Sequence, residues 1–246
     1  MNTAKHVKPY KTEKKGKKEQ IAQMFNKISG SYDFLNHFLS FGIDIVWRKK
    51  ALKNLTALNP QKVLDVATGT GDFAVEISKS LSPKKIVGLD ISEGMLNIGR
   101  EKIKEKKLDQ LIEFTVGDSE NLPFPNDEFN AITVAFGVRN FENLEKGLSD
   151  MHRVLHPDGK TVILEFSKPK NNWFIRALYS FYLTKLLPFF GRLVSGEKHA
   201  YNYLADSVMA FPDDEDFMEI MRNAGFSNVV QQKLTFGICS VYLGEK

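Results

Sequence analysis

The segment from Lys62 to Asp72 constrains the fold of this chain more than any other. It reads KVLDVATGTGD: an apolar, β-rich run that contains Asp65 is followed by a turn with glycines at Gly69 and Gly71. Glycines between a strand and a helix let the backbone approach a ligand closely, and the first N–H groups of the helix remain free to bind it. The segment therefore predicts a ligand site at the first strand-to-helix turn of an α/β fold.

Strands and helices alternate along the rest of the chain. After the glycine turn, the pattern predicts strands at 85–90, 111–116, 129–136 and 161–166, helices at 73–81, 92–106, 144–155 and 214–224, and a turn at 157–159. This βαβαβ progression predicts a mostly parallel sheet with helices on both faces. The last two strands, 227–234 and 238–243, are joined too tightly to be parallel. The prediction is a seven-stranded sheet with an antiparallel C-terminal hairpin.

The glycine turn fits two classes of cofactor. Gly69, Gly71 and Ala74 satisfy the G-x-G-x-x-G/A pattern of nicotinamide-binding enzymes. The carboxylates of Asp65 and Asp72 would repel a pyrophosphate, however, and would favour a cofactor with a cationic end. S-adenosyl-L-methionine carries a positively charged sulfonium, and the sequence favours it over NAD.

Acidic residues also follow the next two predicted strands. Asp90 ends the second strand about 20 residues after the glycine turn, where a carboxylate can accept hydrogen bonds from ribose hydroxyls. Asp118 and Ser119 follow the third strand, where a carboxylate and a backbone N–H could bind an adenine ring. Each acid also has a structural alternative: Asp90 could cap the helix that starts at Ser92, and Asp118 could form an Asx-turn.

The composition is that of one globular α/β domain. The chain has 246 residues, of which 42% are hydrophobic and 26% are charged. Cys239 is the single cysteine, so no internal disulfide is expected, and no Cys/His cluster predicts a metal. The acids at 213–216 begin a predicted helix, where they complement its dipole, so we expect no metal there either. The polar first 20 residues contain no secretory signal, which predicts a cytoplasmic protein.

The positive charge is concentrated at the N-terminus. Residues 1–18 carry seven lysines and one glutamate, although the whole chain has a net charge of only +4. We expect these residues to form a basic disordered arm and residues 19–246 to form the domain. The arm could be a solubilising tail, or it could contact anionic lipid at the inner face of the membrane. The remainder of the chain is slightly acidic, which argues against a nucleic-acid partner.

Residues 171–212 interrupt the alternation and are expected to form a helical insertion that binds substrate. Within them, Trp173–Val194 is rich in aromatic residues and leucine but is broken by charges at Arg176, Lys185 and Arg192. A membrane span needs about 20 predominantly apolar residues, so we do not expect a transmembrane helix. The segment would suit an apolar substrate tail or a membrane surface, and a plain lid over the core is the alternative.

Several motifs resemble those of the menaquinone/ubiquinone-biosynthesis C-methyltransferase family. They are FNKISGSYD at 25–33, DVATGTGD at 65–72, DISEGML at 90–96, LPFP at 122–125, FGVRNF at 136–141, LEFSKP at 164–169, YxYL at 201–204 and FP at 211–212. The resemblance implies the class I S-adenosylmethionine-dependent methyltransferase fold, with cofactor contacts from Thr70, Asp90, Asp118 and Ser119. Ala135 departs from the family pattern, which often has serine there, so no hydroxyl contact is assigned to it.

The resemblance also implies a reaction. The family transfers a methyl group from the sulfonium to a ring carbon of a prenylated quinol. Demethylmenaquinol is the expected substrate, and a prenylated methoxybenzoquinol is the alternative. Arg139 could stabilise the quinol oxyanion or simply form a salt bridge, whereas Asp33, Tyr201 and His199 are candidates for moving the proton.

Other functions remain open at this point. The first is a small-molecule O-methyltransferase of the same fold, and the second is the nicotinamide-dependent oxidoreductase considered above. The third is a lipid-surface binding module without catalysis. The expected partner is the prenylated quinol. Peripheral contact with membrane lipid and a homodimer are both left open by the sequence.

Overall fold

Seven strands form a single sheet in the structure, a computed structural model that describes residues 7–40, 42–170, 173–188 and 198–246. The strands are β1 (Lys62–Val66), β2 (Lys85–Asp90), β3 (Ile112–Val116), β4 (Phe129–Ala135), β5 (Leu155–Phe166), β6 (Ser227–Leu234) and β7 (Cys239–Glu245). Their order is β3-β2-β1-β4-β5-β7-β6. The first five run parallel to their neighbours, and β7 is antiparallel to both β5 and β6. The predicted fold class, including the antiparallel C-terminal hairpin, is confirmed.

Helices cover both faces of this sheet. In the described residues they are α1 (Lys17–Leu39), α2 (Ile43–Leu52), α3 (Asp72–Ser80), α4 (Glu93–Glu105), α5 (Leu144–Val154), α6 (Trp173–Phe181), α7 (Lys198–Ala210) and α8 (Glu215–Asn223). The predicted N-cap of α4 is present, because the hydroxyl of Ser92 accepts a hydrogen bond from the N–H of Met95 (3.3 Å). The helices predicted between the strands therefore form close to their expected bounds.

The central strands are apolar because both faces of the sheet are buried there. Val63 and Leu64 are neighbours in β1, and both are fully buried. Val63 packs in a cluster with Trp47 of α2, whereas Leu64 packs in a second cluster with Phe217 of α8. Successive side chains of a strand point to opposite faces, so each face of β1 has its own hydrophobic core.

Strand β5 differs from its prediction. It begins at Leu155, directly after α5, and the turn expected at 157–159 lies inside it. The pairing with β4 changes register there: Phe129 pairs with Leu155, but Ala131 pairs with Lys160. The extra residues form an irregularity of the strand, which accommodates a proline that cannot donate to the ladder.

Part of the segment predicted to be a disordered arm, residues 1–18, packs against the domain in the structure. Tyr10 is buried, and Lys17, which begins α1, is only 7% exposed. The ammonium group of Lys17 donates to the carbonyl oxygen of Phe141 (2.7 Å), and burial lowers the pKa of this lysine to about 8. A reading based on charge alone misses this packing, because the lysine buries its stem against the domain. Residues 1–6 lie outside the described residues.

Within the segment predicted as an insertion, 171–212, the structure describes two helical stretches. Helix α6 continues into a π-helical segment at Tyr182–Leu186, and α7 follows at Lys198–Ala210. Arg192 and Val194, named in the sequence prediction, lie outside the described residues. Among the helices that are described, none combines the length and apolarity needed to cross a bilayer.

Candidate active site

A cleft opens where the carboxyl ends of β1, β2, β3 and β4 meet α1. One side is lined by residues that end or follow these strands: Gly69, Asp90, Asp118, Ser119 and Phe136. The other side is lined by Lys18, Ile21, Phe25 and Tyr32 of α1. In open α/β sheets this edge is where ligands bind, so the cleft is the candidate site.

Asp90, the last residue of β2, is fixed at the edge of the cleft. Its Oδ2 atom accepts a hydrogen bond from the N–H of Gly69 (2.8 Å), and its Oδ1 atom accepts one from the N–H of Ser92 (2.8 Å). The residue is 8% exposed, and burial raises its pKa above the ordinary range. The N-cap of α4 is Ser92 and not Asp90, whose carboxylate instead accepts from the N–H of Ser92 and lies on the wall of the cleft, where a ligand can share it.

The glycine turn leaves open space beside Asp90. Gly69 has φ = 58°, and a Cβ atom built on it would meet no other atom within 4 Å. Since Gly69 lines the cleft, a side chain there would occupy ligand space as well as strain the backbone.

Two larger residues also have left-handed backbone conformations at this edge. Ala67 follows β1 with φ = 54°, and Phe136 follows β4 with φ = 58°, and both line the cleft. The segments that follow β1 and β4 lie close together here: a Cβ atom on Gly137 would lie only 2.6 Å from the Cβ atom of Ala67. Backbone conformations of this kind cost about 1–3 kcal/mol each and cluster at functional sites.

Asp118 forms the Asx-turn given as its structural alternative, and it also lines the cleft. Its Oδ1 atom accepts a hydrogen bond from the N–H of Glu120 (2.9 Å), as in an Asx-turn, and it lines the cleft together with Ser119. Its Oδ2 atom forms an ion pair with Lys18 of α1 (2.7 Å), and Lys18 also contacts Glu120 (2.8 Å). The ion pairs tie α1 to the loop after β3 across the cleft.

Three predicted cofactor residues, Asp65, Thr70 and Gly71, support the turn from behind and do not line the cleft. Asp65 is 1% exposed and accepts hydrogen bonds from the hydroxyls of Thr68 (2.6 Å) and Thr133 (2.7 Å). Burial raises its pKa to about 6. Gly71 has φ = 78°, and a Cβ atom there would clash with the ring of Phe114.

Asp33 and Thr70 join α1 to the glycine turn. The hydroxyl of Thr70 donates to Oδ1 of Asp33, and Oδ2 of Asp33 forms an ion pair with Lys102 of α4 (2.6 Å). Lys102 also contacts Asp72, the first residue of α3 (2.6 Å). The carboxylate of Asp33 is thus engaged on both oxygens, which favours a role in closing α1 over the turn.

Arg139 lies directly behind the wall of the cleft. Its Nη1 atom donates to Oε1 of Glu165 (2.8 Å) and to the carbonyl oxygen of Phe136, which itself lines the cleft. The Arg139 side chain is 7% exposed and that of Glu165 is 0% exposed. Burial raises the pKa of Glu165, although the guanidinium opposes this change. The predicted salt-bridge alternative for Arg139 is therefore present, but it leaves the guanidinium next to the cleft.

The other two predicted catalytic residues lie on α7 and do not line the cleft. Tyr201 is buried in a hydrophobic cluster with Tyr203 and Tyr179. His199 is exposed, and its ring lies 5.4 Å from that of Tyr10. A different residue of α7, Tyr203, connects this helix to the cleft. Its hydroxyl donates to Oδ1 of Asn140 (3.1 Å), and Asn140 lines the cleft.

Sequence reasoning missed the contribution of α1. Lys18, placed in the disordered arm, and Phe25 line the cleft in the structure. The signal for a helix was present: Ile21, Met24 and Ile28 recur at helical spacing and are buried on one face. A helical-period analysis of residues 17–39 would have found it.

The charge of the cleft discriminates between the two predicted cofactor classes. Among the described lining residues, the carboxylates are Asp90, Asp118, Glu120 and Glu142, and Lys18 is the cation. This balance opposes a pyrophosphate and favours a ligand with hydroxyl and amino donors and a cationic group. The open turn at Gly69 and the acids at successive strand ends fit an adenosine with a sulfonium. In the described residues no group of acids, histidines or cysteine has the arrangement of a metal site.

Comparisons with known proteins agree with this chemistry. Residues 12–246 match the sequence model described as the ubiE/COQ5 methyltransferase family. A protein of Bacteroides fragilis named demethylmenaquinone methyltransferase is 46% identical over 98% of this chain and 97% of its own length. A Geobacter sulfurreducens protein named ubiquinone/menaquinone biosynthesis C-methyltransferase UbiE is 46% identical over 96% of this chain and 91% of its own length.

Solved structures share the fold at much lower identity. A SAM-dependent methyltransferase of Thermotoga maritima, described as a possible histamine N-methyltransferase, has a TM-score of 0.64 at 20% identity and covers 92% of this chain and 99% of its own. The phosphoethanolamine N-methyltransferase 2 of Haemonchus contortus, in complex with S-adenosyl-L-methionine, has a TM-score of 0.58 at 15% identity. It covers 80% of this chain and 52% of its own. These likenesses establish the fold, whereas the choice of substrate depends on the sequence relatives.

Proposed function

This chain belongs to the ubiE/COQ5 methyltransferase family, and on that basis we propose that it methylates a ring carbon of demethylmenaquinol, a naphthoquinol with a prenyl tail. The protein is an S-adenosylmethionine-dependent C-methyltransferase of quinone biosynthesis. The nicotinamide-dependent and O-methyltransferase alternatives are therefore set aside. The choice of a naphthoquinol rests on one observation. The chain is 46% identical, over almost the full length of both chains, to a protein named demethylmenaquinone methyltransferase.

The cleft residues would hold the cofactor through its adenosine. Asp90 can accept hydrogen bonds from the ribose hydroxyls, since its carboxylate is already held in place by two backbone N–H groups. Asp118 can accept from the adenine amino group, and the N–H of Ser119 can donate to a ring nitrogen. S-adenosylmethionine, when bound, supplies a methyl group that is already activated by the positive sulfur.

The chain's own part in the chemistry is to make the quinol carbon electron-rich and to orient it. We assign the stabilisation of the quinol oxyanion to Arg139, a permanent cation in a buried setting where charge interactions are strong. Glu165 holds the guanidinium in one orientation through its ion pair (2.8 Å) and accepts a further hydrogen bond from the N–H of Phe166 (2.9 Å). A preorganised charge of this kind needs no rearrangement as the oxyanion forms.

The remaining predicted residues take different parts in this proposal. Asp33 links α1 to Thr70 and Lys102, so we propose that it closes the N-terminal helix over the turn and does not act as the base. Asp65, Thr70 and Gly71 shape the turn from behind. Tyr201 and His199, both on α7, remain the candidates for proton transfer.

We propose that the outer face of α6 rests on the membrane that holds the quinol. Trp173, Phe174, Leu178 and Phe181 are 75%, 60%, 58% and 54% exposed, which is unusual for four large apolar side chains on one short helix. Arg176, on the same helix, is also exposed and can meet anionic headgroups. A surface of this composition suits an interfacial helix, and the prenyl tail would reach the site from the bilayer beneath it.

A competition assay tests the choice of substrate. The enzyme is given S-adenosylmethionine with equimolar reduced naphthoquinol and methoxybenzoquinol of equal prenyl length, and the products are separated by mass spectrometry. The proposal expects methylated naphthoquinol to dominate at least tenfold. If methylated benzoquinol is the main product, the proposed substrate is wrong and the protein acts in the ubiquinone branch of the family.

A further inference from the structure

Two buried donor atoms next to the cleft have no partner among the residues that the structure describes. Within the residues that the structure describes, neither Nε of Arg139 nor the hydroxyl of Tyr179 has a hydrogen-bond partner. Both groups are more than nine-tenths buried: the side chain of Arg139 is 7% exposed, and Tyr179 is 8% exposed. Buried polar groups are almost always paired in folded proteins, so two orphaned donors in one region indicate a missing acceptor.

The two donors belong to one neighbourhood. Tyr179, on α6, lies in the same hydrophobic cluster as Tyr203, and Phe166 at the end of β5 packs against that cluster. The guanidinium of Arg139 lies 5.5 Å from the centre of the Phe166 ring. The charges of Arg139 and Glu165 both act on the Tyr179 hydroxyl. The tyrosine and the arginine therefore approach the carboxyl end of β5 from two different elements.

This neighbourhood adjoins the cofactor cleft. Arg139 donates to the carbonyl oxygen of Phe136, and Tyr203 donates to Oδ1 of Asn140 (3.1 Å). Phe136 and Asn140 both line the cleft. A ring bound between Arg139 and Tyr179 would therefore lie next to the part of the cleft that Phe136 and Asn140 line.

We infer that Tyr179 is a substrate-binding residue that donates, together with Arg139 Nε, to the quinol oxygen beside the carbon to be methylated. This inference rests on the proposed function and extends it to a residue of the helical insertion. A tyrosine hydroxyl is protonated at neutral pH and can donate, and burial of Tyr179 raises its pKa further. An acceptor oxygen with a developing negative charge is the group that two such donors recognise.

Helix α6 then has two functions on its two sides. Its outer side presents Trp173 and Phe174 to the surroundings, and its inner side carries Tyr179. A quinol is itself divided in this way, with an apolar tail and a ring that carries oxygens. One short helix could therefore receive the substrate from the membrane and hold its ring.

The substitution Tyr179→Phe removes only the hydroxyl and tests the inference. In the presence of S-adenosylhomocysteine, we expect the variant to bind 1,4-naphthoquinone about tenfold more weakly than the unmodified protein, as measured by fluorescence quenching. Binding of naphthalene, which has the same rings without oxygens, should not change. With the reduced prenylated naphthoquinol, kcat should fall 10- to 100-fold. Because the lost hydroxyl has no partner in the described part of the chain, the thermal midpoint should not decrease.

The matched control is Tyr182→Phe, a half-buried tyrosine three residues further along the insertion, which should leave the affinity for both probes and kcat unchanged. Equal affinity of Tyr179→Phe and the unmodified protein for 1,4-naphthoquinone, with equal kcat, would overturn the inference. The two proposals fail separately: a Tyr179-dependent loss of naphthoquinone binding without any methylation of the naphthoquinol would refute the proposed function and support the oxygen site.

Discussion

The carboxylate of Asp90 accepts a hydrogen bond from the N–H of Gly69 at 2.8 Å, so the end of β2 is joined to the glycine turn that follows β1. The two strands are neighbours in the sheet, with Val66 of β1 paired to Leu89 of β2. This contact brings together the two strongest signals in the sequence. It also places a buried carboxylate beside open space, which is the arrangement that a ribose requires.

The first prediction concerns this carboxylate. Asp90→Ala should weaken the binding of S-adenosylhomocysteine by about 1–3 kcal/mol, because the ribose loses its acceptor and the N–H of Gly69 loses its partner. Isothermal titration measures the change directly. Asp158→Ala, at an aspartate whose side chain is 94% exposed, is the matched control and should leave the affinity unchanged. An unaltered affinity of the Asp90 variant would remove this residue from the cofactor site.

A pair of substitutions at Asp118 separates hydrogen bonding from charge. Asp118→Asn keeps an acceptor oxygen for the adenine amino group, so its affinity for the cofactor should stay within about threefold of that of the unmodified protein. Asp118→Ala has no such acceptor, and its affinity for the cofactor should fall about tenfold. The same titration measures both variants. If Asn and Ala weaken binding equally, then the ion pair of Asp118 with Lys18 (2.7 Å), which both remove, matters more than the contact to adenine.

Arg139 is predicted to act on turnover more than on cofactor binding. Arg139→Lys retains a positive charge for the fully buried Glu165 but loses the planar guanidinium, so the protein should fold. We expect kcat to fall by about 10²-fold and the affinity for S-adenosylhomocysteine to change less than about threefold. Arg222→Lys, at a surface arginine paired with Glu215 (2.6 Å), is the control. Parallel losses of kcat and cofactor affinity would argue against an oxyanion partner.

Asp65 gives a prediction about pH. Its pKa is about 6 in the folded protein and near its ordinary value of 3.8 in the unfolded chain, so between these values the folded state binds more protons. Folding is therefore stabilised as the pH falls through 6 towards 4, by up to roughly 3 kcal/mol from this residue. Asp65→Asn cannot titrate. Urea unfolding of the two proteins without cofactor should show the unmodified protein gaining stability relative to the variant from pH 7 to pH 4.5, and a constant difference would contradict the raised pKa.

The exposed aromatic residues of α6 predict membrane binding. Replacing Trp173 and Phe174 together by serine should reduce flotation with vesicles that contain anionic lipid, while activity on a short-tailed, water-soluble quinol is retained. Val230→Ser, at an apolar residue of β6 that is 48% exposed, is the control and should float as the unmodified protein does. Undiminished flotation of the double variant would place the membrane contact elsewhere on the protein.

The sheet could be predicted from the sequence because its determinants are local. Strand β2 is a continuous apolar run, and Ser92 is a standard N-cap, so both were placed to within a residue or two. The sequence predicts a turn at 157–159, whereas β5 continues through these residues in the structure. The course of β5 depends on pairing with β4 and β7, which are distant in sequence. Local patterns do not carry such information.

The site was predicted less completely, for a related reason. Asp90, Asp118 and Gly69 line the cleft as expected because they end or follow strands, and the sheet itself brings strand ends together. The part of the wall formed by α1 depends on how a distant helix packs, and the high lysine content of residues 1–18 obscured it. The Tyr179 hydroxyl, which lacks a partner among the described residues, reflects three-dimensional packing and has no signature in the sequence.

The most direct test of the account uses S-adenosylmethionine labelled with ¹³C in its methyl group and reduced demethylmenaquinone. NMR of the product locates the new methyl group. The account predicts a ¹³C signal of a methyl group bonded to the naphthoquinol ring carbon that previously carried hydrogen, with none bonded to oxygen. A labelled methoxy signal, or no transfer by a protein that binds S-adenosylhomocysteine, would contradict it.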